Sequence, residues 1–174
     1  MERAIKIIGE LLPADAIVSV DIGQNMLEAA KTLKIKENGR MFISGGFAAM
    51  GCSFTEAIGM SIALGKKPVY SIVGDGGLQM NIQEFQTIIR EELPLIIFVV
   101  NNNALGLIKL FQDNNLNSNY IGTVDGHGYS SPDFCKIAKA YGLTAYKVTD
   151  INKLSEYENE IKSPSQAILF DIII

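Results

Sequence analysis

Cysteine, histidine and tryptophan are scarce in this 174-residue chain, which has two, one and none of them. Cys52 and Cys135 stand far apart without a CxxC spacing, so neither a disulfide framework nor a thiolate metal site is expected, and both read as small core residues. His127 lies between Gly126 and Gly128 in a polar loop. Nothing in the local sequence orients its ring for proton transfer, and it reads as a solvated loop residue. Long apolar runs are missing too: the longest, Leu93 to Val100, contains Pro94 and falls far short of the roughly 20 residues that cross a bilayer. A spanning helix is therefore excluded. Residues Met1 to Ile8 space their charges among apolar residues in helical fashion and lack the unbroken apolar centre of a signal peptide, so a cytoplasmic location is the default expectation. There is no stripe of positive charge either. The formal net charge is -4 and the lysines are scattered among acids, which gives a nucleic-acid backbone no counterion-releasing track.

What is present is the composition of one globular domain, 48% hydrophobic and 20% charged, spanning residues 1–174. Strands are expected at Ala16 to Val20, Met41 to Ser44, Val69 to Val73, Leu95 to Val100, Thr144 to Val148 and Ala167 to Ile173, with Met41 to Ser44 the weakest in pattern. Helices are expected at Gln24 to Leu33, Ser53 to Leu64, Leu78 to Glu92, Ala104 to Asp113, Pro132 to Tyr141 and Ile151 to Lys162. Ser71 to Val73 and Leu95 to Val100 run without polar alternation, as strands covered on both faces require. The expected fold is α/β, a three-layer α/β/α arrangement around a mainly parallel six-stranded sheet. Asp113 to Gly128 is rich in Asn and Gly and too long for an ordinary connection, so it reads as a functional or mobile loop.

In a parallel sheet the turns after Val73 and Val100 fall on the same carboxyl edge, where ligands bind. Gly74-Asp75-Gly76-Gly77 places glycines where backbone amides can approach a ligand closely, at the positive end of a helix. An anion such as phosphate suits that end. Asp75 beside a diphosphate would repel it by a few kcal/mol, roughly, at an effective dielectric near ~20 unless a cation lay between them. The turn thus implies a metal, and magnesium, held by one carboxylate, neutral oxygens and the ligand's own phosphate, fits. Asn101, Asn102 and Asn103 supply neutral oxygens at the end of the next strand, and the 27 positions from Asp75 to Asn102 match one helix plus one strand. Rival nucleotide signatures fail. The Gly74 turn lacks the last glycine of GxGxxG, and Gly65-Lys66-Lys67-Pro68 has neither the upstream glycine nor the Ser/Thr of a P-loop.

Gly74-Asp75-Gly76 followed by Asn101-Asn102 resembles the motif of the thiamine diphosphate enzymes, and the neighbouring segments resemble their acetolactate synthase branch. Ser44-Gly45-Gly46-Phe47-Ala48-Ala49-Met50-Gly51 is similar to SGGLGAMG, Asp21-Ile22-Gly23-Gln24-Asn25 to DVGQH, Met80-Asn81-Ile82-Gln83-Glu84 to MNxQE, and Asn101 to Gly106 to NNQHLG. Nearly the whole chain is covered. The resemblance implies the diphosphate-binding domain of such an enzyme. Asp75, Asn102 and the carbonyl of Ala104 would hold Mg2+, and the amides of Gly76 and Gly77, after Gly74, would meet the diphosphate of thiamine diphosphate. Gln24 and Asn25 would reach it from the neighbouring turn, and the backbone at Gly106 and Leu107 would close over it. Met50 would be the apolar wedge that bends the cofactor, and the Ala48 carbonyl would accept from its amine.

The same resemblance implies decarboxylation of a small 2-keto acid, with ligation of the product to a second carbonyl in the acetolactate synthases. The activating glutamate belongs to a separate pyrimidine-binding domain or subunit. Glu28 and Glu56 sit on helices and read as solvated, so no catalytic residue is assigned to this chain, which is expected to be inactive alone. The branch carries a tryptophan shortly after its NNQHLG loop where this chain has Phe111, and that departure leaves the keto acid open. The chain is expected to be a carboxyl-terminal part of a longer enzyme or a small subunit. Alternatives are the β subunit of a two-chain decarboxylase, such as a sulfopyruvate or phosphonopyruvate decarboxylase, or a non-catalytic diphosphate and metal module. An apolar patch near Met50 and homo-oligomerisation are expected as well.

Overall fold

The computed structural model describes all residues, Met1–Ile174. Its six strands are β1 Ile17–Val20, β2 Arg40–Ile43, β3 Val69–Gly74, β4 Leu95–Asn101, β5 Thr144–Val148 and β6 Ile168–Ile173. They form one sheet in the order β2-β1-β3-β4-β6-β5. Every pairing is parallel, so the sheet is wholly rather than mainly parallel.

The central strand β4 is buried along its whole length, and its alternation divides the core. Ile96, Phe98 and Val100 join Val18, Ile72 and Phe170 under α1 (Glu2–Leu11). Leu95, Ile97 and Val99 join Val73 and Leu169 on the opposite face, packed against α3 (Cys52–Ala63) and α7 (Phe134–Tyr141). Each such side chain contributes roughly 1.5–3 kcal/mol by leaving water, which is why an unbroken apolar run is stable only as a strand covered on both sides. Tyr70 is buried among them, and its hydroxyl donates to the Ile161 carbonyl at 2.8 Å. The weakly patterned β2 is one of the two edge strands, with Arg40 and Phe42 exposed.

Two expected helices differ. Leu78 to Glu92 is not continuous: α4 (Asp75–Met80) and α5 (Phe85–Arg90) are separated by a 3-10 turn, Ile82–Glu84. The break falls at Asn81, whose side chain donates to the Gly51 carbonyl at 3.2 Å. Gly51 adopts a left-handed φ of 82°, and a Cβ there would meet Asn81 Nδ2 at 2.5 Å and the Gly77 carbonyl at 2.7 Å. Two backbones thus touch where only glycine fits. Leu78, Phe85 and Ile88 on these two helices are buried, while Ile89 is exposed. Ile151 to Lys162 is mostly a 3-10 run, Ile151–Tyr157, followed by the short α8 (Glu158–Lys162). The remaining helices, α2 (Gln24–Thr32) and α6 (Gly106–Asn115), begin at the carboxyl edge of the sheet. No helix is long and apolar enough to cross a membrane.

Candidate cofactor site

The chain leaves β1 for the outer strand β2, then returns to the other side of β1 to make β3. At such a reversal the connections diverge and leave a crevice beyond the strand ends. Three turns line it: Asp21 to Asn25 after β1, Gly74 to Gly77 after β3, and Asn102 to Ile108 after β4. Of the residues expected to contact the cofactor, Gln24, Asn25, Met50, Gly74, Asp75, Gly76, Gly77, Asn102, Ala104, Gly106 and Leu107 all line this cleft. Ala48 does not. It lies in an exposed segment from Gly45 to Ala49, with φ 51° and the fully exposed Phe47 beside it, and nothing in the chain covers that segment.

The helix after β3 starts at Asp75, three residues before the expected Leu78. The amides of Asp75, Gly76 and Gly77 are therefore first-turn donors without intrahelical partners. The walls approach these glycines closely. A Cβ on Gly76 would meet Leu105 Cδ2 at 2.5 Å and Met50 Cε at 3.0 Å, and one on Gly77 would stand 2.1 Å from Asp21 Oδ2. Side chains at these positions would fill the space a ligand needs to reach the amides.

Asp75 is 2% exposed. Its Oδ2 accepts from the Tyr129 hydroxyl at 2.7 Å and the Ser131 hydroxyl at 2.6 Å. Burial, and then the hydrogen bond to Asp75, push the Tyr129 phenol well above its ordinary range, so it stays a donor. On the third turn, Asn102 Nδ2 donates to Gln24 Oε1 at 3.3 Å, and Asn102 Oδ1 accepts from the Ala104 amide at 3.1 Å. A carbonyl oxygen has two lone pairs, so Asn102 Oδ1 keeps one for a cation. Asn25 is 6% exposed, and its Oδ1 is the one buried side-chain polar atom of the protein without a hydrogen-bond partner. Such groups need explanation, and this one lies in the cleft wall.

These features fit a diphosphate with a divalent cation: bare first-turn amides, glycines that leave room, one carboxylate, a neutral amide oxygen and an unsatisfied Asn. Asp75 and Asp21 are the acids lining the cleft, Asp21 already accepting from the Gly51 and Ser53 amides, and no cluster of three or more His, Cys, Asp or Glu residues exists to hold a metal unaided. A ligand that brings its own oxygens is therefore required. The cavity is about 130 Å³, well below the roughly 300–1,000 Å³ of a complete small-molecule pocket, and has room for one end of a cofactor.

Several contributors were not expected from sequence. Asp21 lines the cleft and accepts from the Gly51 amide at 3.0 Å and the Ser53 amide at 3.4 Å, which ties the start of α3 to the end of β1. Burial raises its pKa despite these amides. The D-x-G-Q-N segment pointed to it, whereas nothing near Tyr129 or Ser131 linked them to Asp75. The loop expected between Asp113 and Gly128 is shorter than supposed, because α6 runs to Asn115, and it is tied down: Leu105 N donates to Thr123 O at 2.9 Å, and Ala104 bridges Val124. His127 is exposed, edge-on to Tyr120 at 5.8 Å, and outside the cleft lining. Glu28 and Glu56 are both half-buried, Glu28 paired with Lys31 and Glu56 accepting from Ser19 at 2.8 Å, so neither is the solvated residue expected. Both cysteines are free, Cys135 buried and Cys52 only partly so. Leu107 and Ile108, which line the cleft, are exposed, as are Phe47 and Phe111.

Residues 21–171 match the family described as "Thiamine pyrophosphate enzyme, C-terminal TPP binding domain". The chain is 33% identical to "Acetolactate synthase 1, chloroplastic" of Zea mays over 99% of its own length and 28% of that protein. It is 30% identical to "Acetolactate synthase isozyme 3 large subunit" of Escherichia coli, covering 99% of the chain and 30% of that protein. It is 35% identical to "Probable acetolactate synthase large subunit" of Methanocaldococcus jannaschii, covering 92% of the chain and 27% of that protein. The chain thus spans less than a third of the length of these curated relatives. A six-stranded parallel sheet with a glycine-lined cleft at its order reversal, and a family match running from Asp21 to Asp171, place this chain among the thiamine pyrophosphate enzymes as a C-terminal TPP-binding domain of acetolactate synthase-like sequence.

Proposed function

We propose that this chain binds thiamine diphosphate and Mg2+ as the diphosphate half of an acetolactate synthase-like enzyme acting on a 2-keto acid. The observation that carries the reading is the convergence of three turns on one cleft, where the buried carboxylate of Asp75 sits in the same turn as unpartnered first-turn amides. Asp75, Asn102 and the Ala104 carbonyl hold the cation, which screens the carboxylate from the diphosphate. Gly76 and Gly77 donate amides to the diphosphate after the Gly74 turn, Gln24 and Asn25 reach it from the β1 turn, and the backbone at Gly106 and Leu107 closes the third side. Met50, against Gly76, supports the bent cofactor, and Ala48 offers its carbonyl once the exposed Gly45 to Ala49 segment is covered.

When bound, the cofactor supplies the carbon nucleophile and the electron sink for decarboxylation. This chain contributes placement and exclusion of water. Neither Glu28 nor Glu56 lines the cleft, so the proton-transfer group comes from a pyrimidine-binding domain or subunit, and the chain alone is inactive. The small cavity and the exposed apolar rim support such a partner and self-association. Residues 1–174 form one domain, either the carboxyl-terminal part of a longer enzyme or a small subunit of a two-chain decarboxylase.

Thiamine diphosphate and Mg2+ added together should raise the thermal midpoint by ligand linkage, and neither alone should do so fully. Asp75→Ala should abolish the joint shift. Absence of any shift at millimolar concentrations of both would overturn the reading.

A further inference from the structure

Both hydrogen bonds to the Asp75 carboxylate end on one oxygen. Tyr129 and Ser131 donate to Oδ2, at 2.7 and 2.6 Å, and no donor reaches Oδ1. Ser131 is itself fixed from behind. Its amide donates to Asn103 Oδ1 at 2.9 Å, the Asn103 amide donates to Asn101 Oδ1 at 3.1 Å, and Asn101 Nδ2 donates to Asp171 Oδ1 at 2.9 Å. Asp171 is 1% exposed and Asn101 7%. Asn103 makes the link from a left-handed backbone, φ 49°, a region that asparagine tolerates better than most residues. The relay runs from the end of β6, across the end of β4, through the segment before α7, to the first residue of α4.

Placing Tyr129 and Ser131 on one oxygen consumes the acceptor capacity of Oδ2 and leaves Oδ1 without a partner in a residue that is almost fully buried. Oδ1 keeps some accessible surface, on the cleft that Asp75 lines, where a cation is its natural partner. We propose that Ser131 and Tyr129 are positioning residues for the cation-binding carboxylate: they pin Oδ2 so that Oδ1 faces the cation, while Asn103, Asn101 and Asp171 hold Ser131 in place. Both act on the cation through Asp75. The proposal rests on the thiamine diphosphate and Mg2+ reading above.

The test uses Mn2+, which accepts the same oxygen ligands as Mg2+ and is followed by its electron paramagnetic resonance. Mn2+ is titrated into the full chain with thiamine diphosphate in fixed excess. Ser131→Ala and Tyr129→Phe should each weaken Mn2+ binding by about tenfold, the lower end of outer-shell effects. Ser131→Thr, which keeps the hydroxyl, should restore most of it, and the metal-free thermal midpoints should stay near that of the unaltered protein. If Ser131→Ala and Tyr129→Phe bind Mn2+ as the unaltered protein does, or only the metal-free midpoint falls, the relay is overturned while the cofactor reading stands. If Ser131→Ala does not fold, Tyr129→Phe decides alone, since it removes one hydroxyl and leaves the links behind Ser131 intact. Failure of the unaltered protein to bind Mn2+ with thiamine diphosphate overturns the cofactor reading itself.

Discussion

Gly77 and Asp21 are in direct contact across the cleft floor: the position a Cβ would take on Gly77 lies 2.1 Å from the Asp21 carboxylate. That carboxylate also receives the Gly51 and Ser53 amides at the start of α3. The glycine turn, the β1 turn and α3 therefore form one rigid unit. Gly77→Ala should push Asp21 off these amides and lower stability by about 1–3 kcal/mol, the usual cost of overpacking. Chemical denaturation measures this directly, and an unchanged midpoint would mean that Asp21 can move freely.

The sheet depends on its central strand. Phe98 is fully buried on β4, with its ring stacked on Phe170 at 5.7 Å, and Tyr146 and Tyr157 lie against Phe170 in turn. Phe98→Ala should cost about 3–5 kcal/mol and shift the unfolding midpoint accordingly. Phe111→Ala, at an exposed site on α6, should change stability by less than about 0.5 kcal/mol. Equal losses for the two would contradict the division into core and rim.

These contrasts also show which features the sequence reveals. Strands were legible because burial on both faces demands continuous apolar runs, and Leu95 to Val100 has no other stable use. That Asp75 and Asn102 would meet at one edge was legible because parallel strands return the chain to the same end of the sheet, and both line the cleft. The break at Asn81 was not, since it comes from a contact with Gly51, 30 residues away. Tyr129 and Ser131 reach Asp75 over 54 and 56 residues, and no local pattern encodes such a meeting. Ala48 was placed by resemblance alone, and its segment is exposed, outside the cleft.

The end of α6 should make stability sensitive to acid. The Asp113 carboxyl is held down to about 2, first by the hydrogen bond from Lys109 and then by those from Tyr120 and Ser118. Its folded pKa lies below its unfolded one, so its contribution is full above about pH 4 and disappears as the pH falls through the folded value. The stability difference between the unaltered protein and Asp113→Asn should therefore be constant from about pH 7 to 5 and shrink toward pH 2. Denaturation at a series of pH values reads it, and a pH-independent difference would show that the ionic contacts contribute nothing.

Asn25 sets stability against binding. It is nearly buried, and its Oδ1 has no partner, a condition that costs about 1–3 kcal/mol for a neutral polar group. No packing argument explains why an amide stands there, whereas a ligand that supplies the missing partner does. Asn25→Leu keeps roughly the same shape without the polar atoms, so it should stabilise the ligand-free protein, by about 1 kcal/mol on the same reasoning. In the same variant the rise in thermal midpoint given by thiamine diphosphate with Mg2+ should shrink or vanish. Opposite signs in the two measurements are the expected result, because the position has been kept for the ligand at the expense of the empty fold. A variant that is less stable without ligand, or one that keeps the full ligand shift, would show that Asn25 serves packing instead.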